Sequence, residues 1–265
     1  MKLRNILMVV ATMGIMLSST DRTGVVGYTE GDYTDMMTFA HKAAGQNVAF
    51  TSGNNFAAVW SDGGTTWGFA GGDTDDMVNM LWSNGTYGLD VAMSMDSATN
   101  GDGTTFDLGF GMNLMGYDVG FNMDTAENGP MSLNLRGNCN FWVWDTMTFA
   151  YNAGNTGGAD HTSIDVGMYS VNEWGPATGY FSMGITSSDN PAWTDFDGEG
   201  GEDDGWADAV TLLNTSFSVE STLTDWCDLR MGYTKNFNTA PADGERESVD
   251  SFVAGVGFNY GSVAL

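Results

Sequence analysis

The alternation of apolar and polar residues is most regular in residues 104–124. Every second residue is apolar from Phe106 to Leu114, and again from Tyr117 to Met123. Successive side chains of a β-strand point to opposite faces, so this spacing predicts two strands, each with one apolar and one polar face. Met115 and Gly116 separate the two runs. A connection of two residues predicts that the strands pair as an antiparallel hairpin.

Segments with the same alternation follow one another along most of the chain. The pattern predicts about fourteen strands, at residues 47–52, 55–61, 65–71, 76–83, 87–96, 104–114, 117–124, 131–137, 146–152, 163–170, 178–187, 209–219, 229–236 and 249–260.

The connections between these strands fall into two alternating classes. The shorter connections are residues 83–86, 115–116, 138–145, 171–177 and 220–228. The longer and more acidic ones are residues 97–103, 125–130, 153–162, 188–208 and 237–248. Five tryptophans lie at the strand ends that carry the shorter connections, namely Trp82, Trp142, Trp144, Trp174 and Trp226.

These features predict an all-β fold, an antiparallel transmembrane β-barrel spanning residues 47–265. A stripe of about ten residues at a tilt near 45° rises about 23 Å, close to the height of the apolar band of such barrels. Short periplasmic turns, long outer loops and an aromatic girdle are typical of the same class. A soluble β-sandwich shows the same alternation, and a secreted solenoid is a third interpretation. The polar faces carry Gly, Asn, Ser and Asp and almost no Lys, which favours a confined interior over a solvent-facing surface.

The residues before the first strand predict two further parts. Lys2 and Arg4 precede an apolar run from Ile6 to Leu17, the layout of a secretory signal peptide, which we assign to residues 1–20. A buried helix is the alternative. Residues 21–46, here called the N-terminal segment, do not alternate and are expected to form a periplasmic or lumen-plugging piece, or else a terminal linker. No other apolar run is long enough for a membrane helix, so any membrane insertion must use strands.

The composition bears on partners more than on fold. The chain has 34 acidic residues against 8 Lys and Arg, a formal net charge of −26. Such a balance argues against a nucleic-acid partner, which requires a basic surface. The expected partners are membrane lipid and small solutes.

The parity of the apolar stripes places six charged side chains on the polar faces. They are Asp90, Asp107, Asp118, Asp165, Arg136 and Arg230. If the apolar faces meet lipid, these side chains line the lumen, and the excess of carboxylates favours a cation-preferring aqueous pore. Internal salt bridges that fill a closed barrel are the alternative.

Other chemistry is sparse. His41 and His161 have no Ser or Cys at a catalytic spacing, so the sequence predicts no enzyme and no cofactor. Cys139 and Cys227 both fall in short connections, where a periplasmic disulfide is permitted, and two free thiols are the alternative.

A weak calcium motif lies in the longest acidic connection. Asp195, Asp197 and Glu199 have the spacing of the start of a calcium loop, but Trp206 stands where the bidentate Glu is required. A solvated acidic loop is the competing interpretation.

The pattern from Asn47 to Tyr260 resembles bacterial outer-membrane β-barrel proteins of the porin type. More loosely, a short segment before about fourteen strands is similar to the long-chain fatty-acid transporter family. That family has an Asn-Pro-Ala turn near its N-terminus, and Phe39-Ala40-His41-Lys42 occupies the comparable region here. Outer-membrane barrels typically end on an aromatic residue that closes the last strand, whereas this chain ends five residues after Tyr260. Either Tyr260 closes the final strand, or residues 263–265 begin a further strand of a truncated sequence, which makes fourteen strands a lower bound.

The resemblance implies a location in the bacterial outer membrane and passive diffusion of small hydrophilic solutes. A transporter of hydrophobic small molecules and a closed structural or adhesive surface barrel remain the alternatives.

Overall fold

The computed structural model describes residues 20–28, 30–52, 55–71, 76–96, 103–156, 159–189, 210–239, 248–260 and 263–264. Three short helical elements precede the strands: α1 (Thr20–Val26), α2 (Asp35–Thr38) and a 3₁₀ helix (Ala40–Ala43). Within the described residues, no helix has the length and apolar character needed to span a membrane.

All remaining elements are strands. They are β1 (Val48–Ser52), β2 (Asn55–Asp62), β3 (Thr65–Gly71), β4 (Asp76–Ser83), β5 (Tyr87–Asp96), β6 (Gly103–Leu114), β7 (Tyr117–Asp124), β8 (Met131–Phe141), β9 (Trp144–Thr156), β10 (Ala159–Trp174), β11 (Ala177–Ser188), β12 (Val210–Thr224), β13 (Cys227–Asn238), β14 (Ser248–Tyr260) and β15 (Val263–Ala264).

The strands form one sheet in which each pairs antiparallel with its neighbours in sequence, from β1 to β15. The prediction of an all-β antiparallel fold is confirmed, and each strand from β1 to β14 matches a predicted segment. Within the part of the chain that the structure describes, β1 pairs with β2 and β15 with β14, and no ladder joins the two ends of the sheet. The observed architecture is therefore an antiparallel meander.

Because successive strands reverse direction, alternate connections lie on the same edge of the sheet. The edge that carries residues 63–64, 84–86, 115–116, 142–143, 175–176 and 225–226 is called the short-turn rim, and the opposite edge is called the long-loop rim. Met115 and Gly116 have φ values of 55° and 89°. Two positive φ values define the type I′ turn, whose twist matches that of the flanking strands.

Several strands are longer than the alternation predicts. The predicted loop at residues 153–162 is wrong, since β9 continues to Thr156 and β10 begins at Ala159. Residues 138–141 likewise belong to β8, where the register shifts before Phe141. Small and polar residues that end the apolar stripe still form ladder hydrogen bonds, because the backbone pairing does not depend on which side chains it carries.

The sheet exposes its apolar face and buries its polar face. Phe252 is 68% exposed and Ile185 is 54% exposed, whereas Asp118 and Arg136 on the polar face are each 5% exposed. Polar residues on this face are buried from Thr66 in the third strand to Asn238 in the thirteenth. A sheet that buries one face across so many strands must be curved, with that face concave. The usual arrangement of a soluble sandwich, with apolar residues inside, is reversed here.

Candidate functional site

The N-terminal segment packs on the concave polar face, close to the short-turn rim. Its 3₁₀ helix contacts β4, β5 and β6, α2 contacts β7, and α1 contacts β12, β13 and β14. The backbone amide of Gly45 donates to Thr66 Oγ1 at 3.0 Å, and Ser61 donates to the carbonyl of Gln46 at 3.1 Å. The segment is therefore docked against the sheet, and the expectation of a free terminal linker is not met.

Glycines on the polar face allow the segment to approach closely. A Cβ atom added at Gly88 or Gly111 would overlap the backbone of Ala40 and His41, and one at Gly120 would overlap the carbonyl of Thr38. Residues with a side chain at these positions would keep the segment away from the sheet. These glycines, which read in the sequence only as the polar half of an alternation, form the floor on which the segment lies.

A buried ion network fixes the first contact. Arg136 donates to Asp35 of α2 through Nη1 and Nη2, at 2.7 and 2.6 Å, and to Asp118 Oδ2 through Nε and Nη2, at 3.1 and 2.7 Å. The guanidinium carbon lies 4.6 Å from the centre of the Phe39 ring. Arg136 thus joins β8 and β7 to the N-terminal segment through charge-assisted hydrogen bonds, which are stronger than neutral ones.

Two further side chains of the segment reach Asp118. His41 Nε2 lies 2.9 Å from Asp118 Oδ1, and Lys42 Nζ lies 2.9 Å from Oδ2. Asn113 Nδ2 donates to the same carboxylate at 3.1 Å. His41 is 2% exposed, and its carbonyl accepts a hydrogen bond from Ser83 at 2.9 Å. Asp118 is therefore fully occupied as an anchor for the segment.

A second ion network fixes the segment at α1. Arg22 forms salt bridges with Asp32 at 3.3 Å and with Glu220 at 3.2 Å, and Arg230 donates to Glu220 at 2.7 Å. Burial by itself would lower the pKa of Arg22, but Glu220, Tyr180 and Asp32 outweigh it and raise that pKa. Arg22 therefore stays charged and ties α1 to β12.

Tyr28 fills the space between the two networks. Its ring centre lies 5.5 Å from that of Tyr169 and 5.4 Å from that of Tyr180, on β10 and β11. Its hydroxyl donates to Glu30 at 2.6 Å. Burial, followed by the hydrogen bond to Glu30, raises the pKa of Tyr28 well above its usual value. The phenol stays neutral and acts as a donor.

A cavity of about 420 Å³ lies along β4–β10. Its polar lining consists of Asn79, Asp90, Asp107, Asn122, Asp124, Ser132, Asn152 and His161. Asp107 and Asp124 are directly opposite each other in the ladder between β6 and β7. The lining contains three aspartates and neither Lys nor Arg, so this cavity, here called the acidic vestibule, carries a negative potential.

Two smaller cavities lie on the same face, and the first of them borders the N-terminal segment. One, of about 330 Å³, is lined by Tyr28, Glu30, Thr38, Phe39, Asn134, Leu135, Arg136, Thr148, Phe149, Ala150, Asp165 and Tyr169. The other, of about 140 Å³, is lined by residues of β9–β12 and shares Thr148, Asp165 and Tyr169 with the first. The segment therefore leaves space next to the wall formed by β8–β11.

The six charged residues that parity assigned to the lumen divide into two groups. Asp118, Arg136 and Arg230 belong to the networks that hold the N-terminal segment. Asp90, Asp107 and Asp165 line the cavities. The sequence left open whether these side chains form internal salt bridges or a charged lining. The first three form salt bridges, and the other three line cavities of the same face.

Two cavity residues were missed by the sequence reasoning. Asp124 ends β7 with the same parity as Asp118, so the alternation already carried the signal. Glu30 lies outside every strand, and no pattern in the sequence places it beside Asp165. Only the folded position of the N-terminal segment brings Glu30 and Asp165 to one cavity.

The remaining candidates stand apart from this site. Cys139 lies within β8 and Cys227 begins β13, not in turns as predicted, and both are free thiols, so the suggested disulfide is absent. His161 lies in β10, not in a loop. The calcium candidates Asp195, Asp197 and Glu199 lie outside the described residues, as does nearly all of the predicted signal peptide.

No protein-family model matches the chain. No curated protein matches it either.

Proposed function

We propose that the chain closes into a transmembrane β-barrel of the bacterial outer membrane and acts as a porin-like channel for small hydrophilic solutes, with a preference for cations. The observation that carries the proposal is the reversed polarity of the sheet. Apolar side chains are exposed along its convex face, and charged and amide side chains are buried on its concave face.

The exposed apolar face argues for a lipid environment. Leu89, Val91, Leu108, Ile164 and Val166 lie within strands and are each between 38% and 47% exposed. In water such a continuous apolar surface is strongly unfavourable, whereas a bilayer solvates it. The proposed signal peptide supplies the export that this location requires.

The aromatic side chains at the short-turn rim agree with that environment. Trp67, Trp142, Trp174 and Trp226 are between 40% and 86% exposed. Tryptophan prefers the boundary between headgroups and acyl chains, where its ring is apolar and its N–H reaches water. This rim is then the periplasmic boundary, and the long-loop rim faces outward.

The concave face argues for hydrophilic solutes. The acidic vestibule offers carboxylate and amide groups in a space of about 420 Å³, large enough for small ions and metabolites. Asp90, Asp107 and Asp124 attract cations and repel anions. The N-terminal segment narrows the lumen near the short-turn rim, which restricts passage to small solutes.

The docked segment also bears on the two alternatives. A transporter of hydrophobic molecules requires a plug and an apolar pocket beside it, but the polar side chains of the vestibule favour hydrophilic solutes. Under the plug hypothesis, deletion of Asp32–Gln46 raises the conductance sharply. A closed surface barrel predicts no conductance together with retained surface exposure.

Purification in detergent followed by single-channel recording tests the proposal. A barrel migrates differently on a gel before and after boiling, and a cation-preferring pore gives stepwise currents with a reversal potential of the corresponding sign. Heat-dependent mobility without conductance contradicts the channel and favours a closed barrel. A protein that is soluble without detergent contradicts the membrane location itself.

A further inference from the structure

The N-terminal segment covers the polar face unevenly. Its first part, around Val25, packs against β12–β14, and its later part, from Asp35 to Ala43, packs against β4–β8. Between these two parts, Tyr28 packs against Tyr169 and Tyr180 of the wall. The two cavities of about 330 and 140 Å³ both lie against the stretch of wall that includes β9–β11.

The cavities follow this stretch of wall in order. Ser132 and Asn152 line the acidic vestibule, and Asn134 and Ala150, the next residues of the same parity on β8 and β9, line the cavity of about 330 Å³. Successive residues of one parity on a strand lie about 6.6 Å apart on the same face. The second cavity therefore continues the vestibule towards the short-turn rim, beside the docked segment.

The cavity of about 330 Å³ has an excess of negative charge in its lining. Glu30 and Asp165 both line it, and within the described residues neither forms a salt bridge with Lys or Arg. Arg136, which also borders it, is already paired with Asp35 and Asp118. A cation that reaches this point meets two carboxylates, whereas an anion meets, among the described lining residues, only the paired Arg136.

We infer that small cations pass beside the N-terminal segment while it stays docked, along β8–β11, and that Glu30 and Asp165 are the residues that set ion selectivity at this narrow part. This inference rests on the proposed channel function and names its route. It requires no undocking, so the two ion networks keep their positions during permeation. Glu30 and Asp165 act through their charge, and Tyr28 forms the wall facing them.

A disulfide that holds the N-terminal segment in place, here called a lock, distinguishes two routes for ions. Ions either pass beside the docked segment, or they pass only after the segment leaves the sheet. A Cβ atom built at Gly255 would lie 3.3 Å from Val25 Cγ2, so Val25→Cys and Gly255→Cys bring two thiols into contact range. The variant is made in a Cys139→Ser and Cys227→Ser background, to prevent other pairings. We expect the same cation-selective conductance before and after addition of a reductant.

A second lock holds the other end of the segment. Ala44 Cβ lies 3.4 Å from a Cβ atom built at Gly85, so Ala44→Cys and Gly85→Cys provide an independent pair in the same background, at the cost of backbone strain from the φ of 84° at Gly85. Heat-dependent gel mobility checks that each variant folds. Conductance that is lost in an oxidised, folded lock and returns on reduction overturns the inference, because the segment must then move.

Charge removal tests the selectivity residues. Glu30→Gln and Asp165→Asn should each lower the cation-to-anion permeability ratio, measured from the reversal potential in a salt gradient. Asp225→Asn, at a turn on the short-turn rim, is the matched control and should leave the ratio unchanged. An unchanged ratio in both Glu30→Gln and Asp165→Asn overturns the assignment. Absence of conductance in the unlocked protein and in every variant overturns the channel function itself and this route with it.

Discussion

Asp35 of the N-terminal segment and Arg136 of β8 form a two-point ion pair, with Nη1 to Oδ1 at 2.7 Å and Nη2 to Oδ2 at 2.6 Å. They are 101 residues apart in sequence, and both side chains are at most 6% exposed. A pair of this geometry fixes direction as well as distance. It therefore sets the orientation of the segment on the concave face.

Loss of the Arg136 charge should undock the segment and destabilise the protein. Arg136→Met leaves Asp35 and Asp118 buried without their common partner, and breaking a buried ion pair in this way costs about 3–5 kcal/mol. The midpoint of urea unfolding in detergent, followed by gel mobility, measures the change. Lys235→Met, on a side chain with no salt bridge among the described residues, is the control. Equal midpoints for the two variants would contradict the role of the network.

Close packing of the segment predicts that Gly88 cannot carry a side chain. The Cβ atom in Gly88→Ala would overlap the backbone of Ala40 and His41, and a backbone atom cannot move aside as a flexible side chain can. We expect faster proteolysis of the N-terminal segment in the folded protein. Gly71→Ala is the matched strand control, because its nearest neighbour is the side chain of Phe56 at 3.4 Å. Equal protease resistance in both variants would show that the segment is not held as described.

A charge on the convex face should oppose membrane insertion. Val91 lies near the middle of β5 and is 39% exposed. Arginine at the bilayer midplane destabilises barrels of this class by about 2–4 kcal/mol. Val91→Arg should therefore reduce the yield of the heat-modifiable form refolded into lipid vesicles. Met115→Arg, at a turn tip that is 92% exposed, should refold like the wild type. A high yield for Val91→Arg would indicate that this face meets water.

Replacement of the vestibule aspartates should weaken the preference for cations. Asp107→Asn and Asp124→Asn together remove two like charges that face each other across one ladder, so stability should stay the same or rise. The permeability ratio from single-channel reversal potentials should fall towards unity. Asp118→Asn provides the contrast, since that carboxylate is paired with Arg136 and Lys42 and its loss should reduce stability instead. If the double variant keeps full selectivity, the vestibule does not select ions.

The two thiols should remain separate in the native protein. Cys139 and Cys227 lie on β8 and β13 and are free. Gel mobility should not change with a reductant, and both thiols should react with a maleimide reagent after unfolding. A mobility difference that disappears in Cys139→Ser would restore the disulfide predicted from the sequence.

The alternation of side chains fixed much of the fold in advance. Each strand from β1 to β14 follows from a period of two, because a backbone whose side chains alternate between faces has one pairing register that keeps the apolar residues together. The alternation also indicates which residues share the polar face, and Asp90, Asp107 and Asp165 line cavities on that face. Strand ends were less accurate, since hydrogen bonding continues past the last apolar residue, as in β10.

The sequence by itself determined the strands, their order and which residues share a face. Only the tertiary structure decided where the N-terminal segment lies, because its residues follow no period and its position depends on contacts more than 100 residues distant, such as Asp35 with Arg136. That position separates the charged residues of one face into anchors and cavity lining. Whether a carboxylate is an anchor or part of the lining depends on whether an Arg or Lys side chain lies next to it in the folded protein. No local pattern in the chain encodes that distance.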